Sequence, residues 1–520
     1  MRVGLLAAGS NAGGQLGIGT RDDAHTLQPC RFAATPGKKR EAAAAAAASG
    51  SRSSSGQDDE GEGTGRVLDL SSGANHTVCI IESSSSSERT KRQLWACGSD
   101  DAGQLGGLLA AGADPTQFQP LTLPQGDHSK GNGDGDGGGD NAVEQWAKMV
   151  RCGWECTFIV LGSATTGDSL VVLGRNNDFG VLGTAAPGSS LSSSTSQARI
   201  DLGPAIGHRG AVHVSAMAVG LQHCLVVCSL ASENSTGQEH ALVGWGMRRH
   251  GQLGPRAALE SRESKVAWTA PTCLARWSSP SSSKKVDEEE GAPMLAAGSR
   301  HSVLAVPSDW TEQSPSLRLS DSTTTTTPLV ERVVGTSKVY AFGDNSKGQL
   351  DIFRSHSLDV DLNIAASLVG LHCTWFGTFC HIRQRQHDGD VATSIVASGK
   401  NTSGQLGRGL DQDGGGDADG RQQQVRLPQG VQLETMACGS EHCLAICSSN
   451  GREQDESTVL GWGWNEHGNL AQANQDDCPT PVPIHPDPPN EKQHRPIGIW
   501  AGCATTFVET GQEQKEEWSR

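Results

Sequence analysis

Histidine is the residue type whose spacing first suggests chemistry, because four histidines recur inside the same short motif. An imidazole can act as a general acid or base, or it can ligate a metal ion. The motif reads glycine, two variable residues and histidine, and an apolar segment follows it each time. Recurrence in register predicts a structural role, such as a hydrogen bond to a neighbouring carbonyl, rather than catalysis. The four residues are His76, His223, His301 and His442.

Cysteine is the second reactive side chain, and the chain has 15 of them. Three pairs have the spacing Cys-x-x-x-Cys, whereas structural zinc sites typically use Cys-x-x-Cys. Many of the cysteines lie within strand-like segments, so we expect reduced, buried thiols that pack in strands, as in cytosolic or nuclear proteins. The three pairs are Cys152/Cys156, Cys224/Cys228 and Cys443/Cys447.

The sequence contains none of the common catalytic motifs. It has no phosphate-binding loop with its lysine, no His-Glu-x-x-His and no Gly-x-Ser-x-Gly. Asp and Glu are concentrated in low-complexity stretches, where they cannot be held in place for acid–base work. We therefore predict a non-enzymatic protein that uses no metal and no cofactor.

Two repeats position these residues along the whole chain. The first is a glycine-rich turn of the form GxNxxGQLG, seen most clearly at 399–407 (GKNTSGQLG). The second is the Gly-x-x-His motif, and the two alternate strictly, which is the signature of a repeat array. The first repeat begins at Gly9, Gly98, Gly174, Gly246, Gly343, Gly399 and Gly463. The second begins at Gly73, Gly153, Gly220, Gly298, Gly370, Gly439 and Gly502.

Each unit reads as short apolar strands separated by glycine-rich turns, which is typical of a β-propeller blade. The chain opens on a third strand and finishes on a second strand, so its two ends together make one blade. We predict an all-β, seven-bladed β-propeller in which residues 5–8 pair with residues 506–508 and close the ring.

Composition indicates long polar inserts between these strands. Only 35% of the residues are apolar, and 66 are glycine. We predict one propeller over residues 1–510, a disordered tail at 511–520, and disordered loops within the propeller. The loops are expected near 33–65, 126–141, 278–291, 308–337, 411–420 and 474–496.

The net charge of −16 argues against direct nucleic-acid binding, which requires a basic surface. No secretory signal and no segment of membrane-spanning length is evident. We expect a cytoplasmic and/or nuclear protein without a membrane partner.

The alternating GxNxxGQLG and Gly-x-x-His motifs resemble the regulator of chromosome condensation repeat family, whose members are seven-bladed propellers. The family includes the exchange factor of the small GTPase Ran, a plant UV-B photoreceptor, ubiquitin-ligase adaptors and the fungal α-tubulin suppressor proteins. The opening LLAAGSNAGGQLGIG makes the last group look closest. That resemblance implies a scaffold that partners a small zinc protein in diphthamide synthesis and in Elongator-dependent modification of the tRNA wobble uridine.

The alternative implied by the family is guanine-nucleotide exchange on a Ran-like small GTPase. In the exchange factor, the GTPase meets the propeller face that carries the variable residues of Gly-x-x-His, several of them acidic. At the matching positions here, only Glu155 and Glu441 are acidic, and Trp154 is the only tryptophan. This weakens the exchange reading and leaves a protein-binding face as our first hypothesis. The predicted contact residues are Trp154, Glu155, Arg300, His372 and Glu441.

Overall fold

The structure is a computed structural model. It describes residues 3–33, 65–85, 88–124, 145–184, 196–231, 237–254, 266–280, 292–313, 330–354, 366–385, 391–410, 423–449, 457–484 and 495–511. The predicted inserts at 126–141 and 411–420 lie outside these ranges, as do nearly all of the insert at 33–65 and of the tail at 511–520. Within the described ranges, no helix has the length and apolar character needed to cross a membrane.

Nearly all of the regular structure in the described residues is β-strand. The first half of the chain forms β1 (Leu5–Gly9), β2 (Ala24–Pro29), β3 (Gly65–Ser72), β4 (His76–Ser85), β5 (Glu88–Gly98), β6 (Gln119–Pro120), β7 (Gln145–Cys152), β8 (Thr157–Ser163), β9 (Ser169–Leu173), β10 (Gln197–Ile200), β11 (Val212–Val219), β12 (His223–Leu230) and β13 (Glu239–Met247). The second half forms β14 (Ala267–Ser278), β15 (Met294–Ala297), β16 (His301–Pro307), β17 (Thr311–Glu312), β18 (Val330–Val334), β19 (Ser337–Gly343), β20 (Ala366–Thr374), β21 (Gly377–Arg385), β22 (Val391–Gly399), β23 (Val431–Cys438), β24 (His442–Ser449), β25 (Ser457–Gly463), β26 (Cys478–Ile484), β27 (Pro496–Ala501) and β28 (Thr505–Thr510). Two short helical turns accompany them, α1 (Gly203–Ile206) and a 3-10 turn at Asp351–Phe353.

The described strands form seven antiparallel sheets, numbered here in chain order. Their strand orders are β2-β1-β28-β27 (sheet 1), β3-β4-β5-β6 (sheet 2), β7-β8-β9-β10 (sheet 3), β11-β12-β13-β14-β17 (sheet 4), β15-β16-β19-β18 (sheet 5), β20-β21-β22 (sheet 6) and β23-β24-β25-β26 (sheet 7).

The sheets form a closed ring around a central channel. The innermost strand of each sheet contacts the innermost strand of the next, and the series returns from β27 to β3. Hydrophobic clusters fill the space between neighbouring sheets, for example around Trp245 and Phe158 between sheets 3 and 4. The predicted seven-bladed β-propeller is therefore confirmed.

The two ends of the chain share sheet 1. In the antiparallel ladder between β1 and β28, Leu6 lies opposite Val508 and Ala8 lies opposite Thr506. The predicted closure by residues 5–8 and 506–508 is confirmed, and the pairing leaves neither strand as an unpaired edge at that position.

The glycine-rich turn owes its sequence to backbone hydrogen bonding and close packing. In the copy after β1, the Leu16 N–H donates to Asn11 Oδ1 at 3.0 Å, and the Gly13 N–H donates to Gln15 Oε1 at 2.8 Å. Leu16 itself is fully buried. Gly9 has φ 113°, and a Cβ there would collide with the Ala504 carbonyl oxygen, so glycine is required.

Two of the predicted loops contain whole strands. The segment 308–337 contains β17 and β18 together with the first residue of β19, and 474–496 contains β26 together with the first residue of β27. Three of the five residues of β18 are valine, which favours a strand despite the threonine-rich sequence before it. β26 carries three prolines, which are tolerated because it lies at the outer edge of sheet 7. At 278–291, Ser278 ends β14 and residues 281–291 lie outside the described ranges.

Candidate partner-binding face

One end of the propeller collects both repeats. In sheet 2, His76 begins β4 directly opposite Gly98 at the end of β5, so the Gly-x-x-His loop and the glycine-rich turn lie side by side. The same register recurs in sheet 4, where His223 lies opposite Gly246. We call this end the turn face, defined by the loops between the first and second strands and by the turns that follow the third strands.

The repeated histidines connect neighbouring sheets beneath the turn face. His76 Nε2 lies 2.9 Å from Thr157 Oγ1 in sheet 3, and that hydroxyl donates to the Gln104 carbonyl at 2.7 Å. Because the hydroxyl proton goes to the carbonyl, the imidazole acts as the donor through Nε2–H. The hydroxyl thus stands between the imidazole and the Gln104 carbonyl. The other pairs are His223 with Ser302, His301 with Thr378 and His442 with Thr506.

Burial keeps these imidazoles neutral. It lowers the pKa of His223 to about 3 and that of His76 to about 4. The rings of both are fully buried, so neither reaches a bound ligand. A structural role is the one that their geometry supports.

The cysteines are packed as thiols within the sheets. Cys224, Cys228 and Cys443 are fully buried. Burial raises the pKa of Cys228 and Cys156 to about 12, which disfavours the reactive thiolate. In the part of the chain that the structure describes, no three His, Cys, Asp or Glu side chains are grouped as metal ligands.

The inner strands enclose a channel of ≈ 410 Å³, and two tryptophans lie at its mouth. Trp154 of sheet 3 and Trp375 of sheet 6 approach across the axis, with ring centroids 5.7 Å apart and planes tilted by 45°. Trp154 is 43% exposed, a large apolar area for one side chain on the surface.

The loops that carry these rings are joined by backbone hydrogen bonds around the mouth. The Ala74 N–H donates to the Trp154 carbonyl at 3.1 Å, and the Trp375 N–H donates to the Ser440 carbonyl at 2.8 Å. The Trp375 carbonyl accepts the Ser299 N–H at 3.0 Å. Each loop is therefore held by its neighbour, and the aromatic rings sit on a preformed backbone.

The predicted position of His372 on this face is wrong. Gly370 and His372 lie within β20, and His372 lines the channel below the mouth, where burial lowers its pKa to about 4. The loop of sheet 6 consists of Trp375 and Phe376, because Cys373 pairs with Thr378 just as Ala297 pairs with Ser302 in sheet 5. Trp154 is therefore not the only tryptophan at these positions.

The structure places the other four predicted residues on the turn face, in different environments. Trp154 and Glu155 adjoin each other in sheet 3, and Arg300 is exposed in the loop of sheet 5. Glu441 is already paired, since Lys400 Nζ lies 2.9 Å from its Oε2 and Gln405 Nε2 donates to the same oxygen at 2.9 Å.

Sequence reasoning missed Trp375 because sheet 6 replaces both fixed residues of the motif. Thr374 stands where the motif has glycine, and Gly377 stands where it has histidine. The nearby Gly-Leu-His sequence at 370–372 imitated the motif four residues too early. Thr378 was the available signal, since it supplies the hydroxyl that three other sheets place after their histidine or cysteine.

Fold and face together define a seven-bladed β-propeller whose sheets carry the alternating glycine-rich and Gly-x-x-His motifs. No family model matches the chain. The chain is 29% identical to the secretion-regulating guanine nucleotide exchange factor of Mus musculus over 181 residues, which are 32% of this chain and 36% of that protein. It is 40% identical to the ultraviolet-B receptor UVR8 of Arabidopsis thaliana over 97 residues, 18% of this chain and 19% of the receptor. The matches thus span about a third or less of these curated relatives.

Two solved structures share the fold over almost the whole chain. Human WBSCR16 has a TM-score of 0.53 at 13% identity, covering 99% of this chain and 100% of that one. Yeast RCC1 bound to Kap60 has a TM-score of 0.56 at 12% identity, covering 99% and 90%. These two likenesses show the fold alone, and the partial sequence matches support the resemblance to RCC1-like propellers. The comparisons do not distinguish between members of that family with different functions, and the α-tubulin suppressor assignment stays a prediction.

Proposed function

We propose that this chain is a non-enzymatic interaction scaffold whose turn face binds a protein partner. The observation that carries the proposal is the tryptophan pair at the channel mouth. Trp154 is 43% exposed and rests against Trp375 on loops that are fixed by hydrogen bonds to neighbouring sheets. Exposed tryptophans on a rigid surface are the usual anchors of protein interfaces, because they bury much area at little entropic cost.

The finer proposal concerns the partner. The resemblance to the α-tubulin suppressor group favours a small zinc protein of diphthamide synthesis, with Elongator as the wider assembly, in the cytoplasm and/or nucleus. Glu155 and Arg300 would flank the anchor as polar contacts at the rim. Glu441 would contribute less, because Lys400 and Gln405 already satisfy its carboxylate.

A second candidate is guanine-nucleotide exchange on a Ran-like small GTPase. It is favoured by one observation, the 29% identity to a guanine nucleotide exchange factor. Such activity needs no nucleophile on the propeller, since an exchange factor works by binding the nucleotide-free GTPase more tightly than the loaded form.

Substitution of Trp154 tests the scaffold proposal, and a nucleotide-release assay tests the exchange candidate. We expect Trp154→Ala to weaken binding of the purified small zinc protein by at least about tenfold, measured by titration calorimetry. Ile497→Ala is the matched control, because Ile497 is 42% exposed at the start of β27, at the opposite end of that strand from the turn face. Binding that is equal in both variants, or absent from the wild type, would contradict the scaffold proposal. Release of labelled GDP from Ran, with and without the wild type, decides the exchange candidate.

A further inference from the structure

A hollow beside the tryptophan pair has the composition of a socket for one side chain. It has a volume of ≈ 240 Å³ and lies between sheets 3 and 4. Trp154 and Trp375 line one side, and Phe179, Val181 and Leu221 supply further apolar surface. The volume is below the range of about 300–1,000 Å³ that is typical of small-molecule pockets, so it suits a single long side chain.

Two carboxylates stand in this mostly apolar hollow, which Asn176 and Gln222 also line. Glu155 and Asp178 both line it. Glu155 Oε2 accepts a single hydrogen bond, from Asn176 Nδ2 at 3.3 Å, and the Asp178 backbone N–H donates to Asn176 Oδ1 at 3.2 Å. Within the described residues, neither carboxylate has a lysine, arginine or histidine partner.

Two acidic side chains that contact the innermost strands are already neutralised, in contrast to Glu155 and Asp178. Asp69 is bound by Arg151 at 2.8 Å, and Asp168 is bound by Lys148 at 2.6 Å. The carboxylates of Glu155 and Asp178 therefore form an uncompensated negative site beside aromatic rings, on a chain whose net charge is −16. Such a site attracts a positively charged group.

We propose that this hollow takes an arginine side chain from the protein partner. The methylene stem would fill the apolar space, and the planar guanidinium would stack on the face of Trp154 while donating to Glu155 and Asp178. A neutral side chain of the same length would fill the space but leave the negative charge of both carboxylates uncompensated. The inference rests on the proposed function, because it specifies the chemistry of that partner.

Two blocked tripeptides, Gly-Arg-Gly and Gly-citrulline-Gly, test whether binding requires the positive charge of arginine. Citrulline keeps the shape of arginine and removes its charge. We expect the arginine peptide to shift the ¹⁹F NMR signal of Trp154 in the full chain labelled with 5-fluorotryptophan, and the citrulline peptide to bind about tenfold more weakly. The signal is assigned by its loss in Trp154→Phe.

Charge-removing variants locate the site. Glu155→Gln and Asp178→Asn should each weaken arginine-peptide binding by about fivefold, and added NaCl should weaken it further. Asp101→Asn is the matched control, since Asp101 is an exposed carboxylate in the turn of sheet 2. Equal binding of the two peptides, or no shift of the Trp154 signal up to the solubility limit, overturns the inference. Binding that survives both variants overturns it as well.

The two proposals fail separately in these experiments. If the arginine peptide binds and the small zinc protein and the GTPase do not, the arginine socket stands and the proposed partners are wrong. If a partner binds through Trp154 and the arginine peptide does not, the scaffold stands and the socket is wrong.

Discussion

At the scale of single residues, the repeated hydroxyl explains why the histidines recur. Ser302 Oγ lies 2.8 Å from His223 Nε2 and donates to the Gln252 carbonyl at 2.9 Å. One buried hydroxyl of sheet 5 thereby satisfies two polar groups of sheet 4. Buried polar groups without a partner are costly, so the motif Gly-x-x-His-Thr/Ser encodes the joint between sheets as well as the strand that follows it.

Removing this hydroxyl should destabilise the propeller. We expect Ser302→Ala to lower the free energy of unfolding by about 2 kcal/mol, because the His223 and Gln252 groups both stay buried and lose their partner. Ser302→Thr is the control, since sheets 3, 6 and 1 use threonine at this position. Equilibrium urea unfolding measures the free energy of unfolding of both variants. Equal losses in Ser302→Ala and Ser302→Thr would contradict the role of the hydroxyl in joining the two sheets.

At the scale of the elements, the sequence predicted the strands and loops that keep the repeated motifs. It missed those whose sequence departs from the motifs. The closure of β1 on β28 followed from the two half-blades at the chain ends. The register of β20 could not be predicted in this way, because Thr374 and Gly377 replace the glycine and the histidine by which the loop is recognised. The turn face predicted from the sequence therefore contained Trp154 but lacked Trp375.

Fourth strands were the least predictable elements for a related reason. In sheet 5 the fourth strand β18 precedes β19 along the chain, whereas in sheets 2, 3 and 7 the fourth strand follows the third. Outer strands are half-exposed and make ladder bonds on one side only, so their sequences tolerate threonine, serine and proline. Hydrophobic pattern alone does not separate such strands from loops.

The closing element also carries a buried acid. Glu509 of β28 lies opposite Leu5 in the closure ladder and is 3% exposed. Its Oε1 accepts the Val67 N–H of sheet 2 at 2.8 Å, at a bulge in β3. Burial raises the pKa of Glu509 from 4.5 to about 7, and the Val67 N–H and the charge of Arg66 oppose the rise. The folded state thus binds this proton more tightly than the unfolded chain does.

This acid predicts a specific dependence of stability on pH. Because the folded pKa is the higher one, the contribution of Glu509 is present below pH 4.5 and is lost as the pH rises to about 7. Glu509→Gln keeps an acceptor for Val67 and removes the charge. We expect the variant to be more stable than the wild type by on the order of 2 kcal/mol at about pH 8, and similar to it at about pH 4.5.

Urea unfolding of both proteins at the two pH values checks this prediction. The buried histidines contribute with the opposite sign, since their lowered pKa values cost stability as the pH falls below 6.5. They are common to both proteins, so the difference between wild type and variant isolates Glu509. A difference that does not change with pH would contradict the assignment.

At the scale of the whole molecule, the ring is held by one sheet that both ends of the chain share. Sheet 1 takes β1 and β2 from the start and β27 and β28 from the end, so opening the ring requires breaking the ladder between β1 and β28. The Thr510 N–H donates to the Gly4 carbonyl at 2.8 Å, and the two ends are therefore close enough to be joined by a short linker. Circular permutation can then move the opening to other places in the ring.

Two circular permutants, each with residue 511 joined to residue 3, separate the effect of the shared sheet from that of a break. Opening at 232–236, between β12 and β13, makes sheet 4 the shared sheet with the same division of strands as in the native chain. Opening at 125–144, between β6 and β7, leaves no sheet shared by the two new ends, so that side-chain packing and scattered hydrogen bonds, without a strand ladder, join the ends. We expect the first permutant to unfold within a few degrees of the wild type and the second about 5 °C lower or more, because no backbone ladder closes its ring. Thermal unfolding followed by circular dichroism gives both midpoints, and equal midpoints would mean that packing between sheets is enough to hold the ring without shared strands.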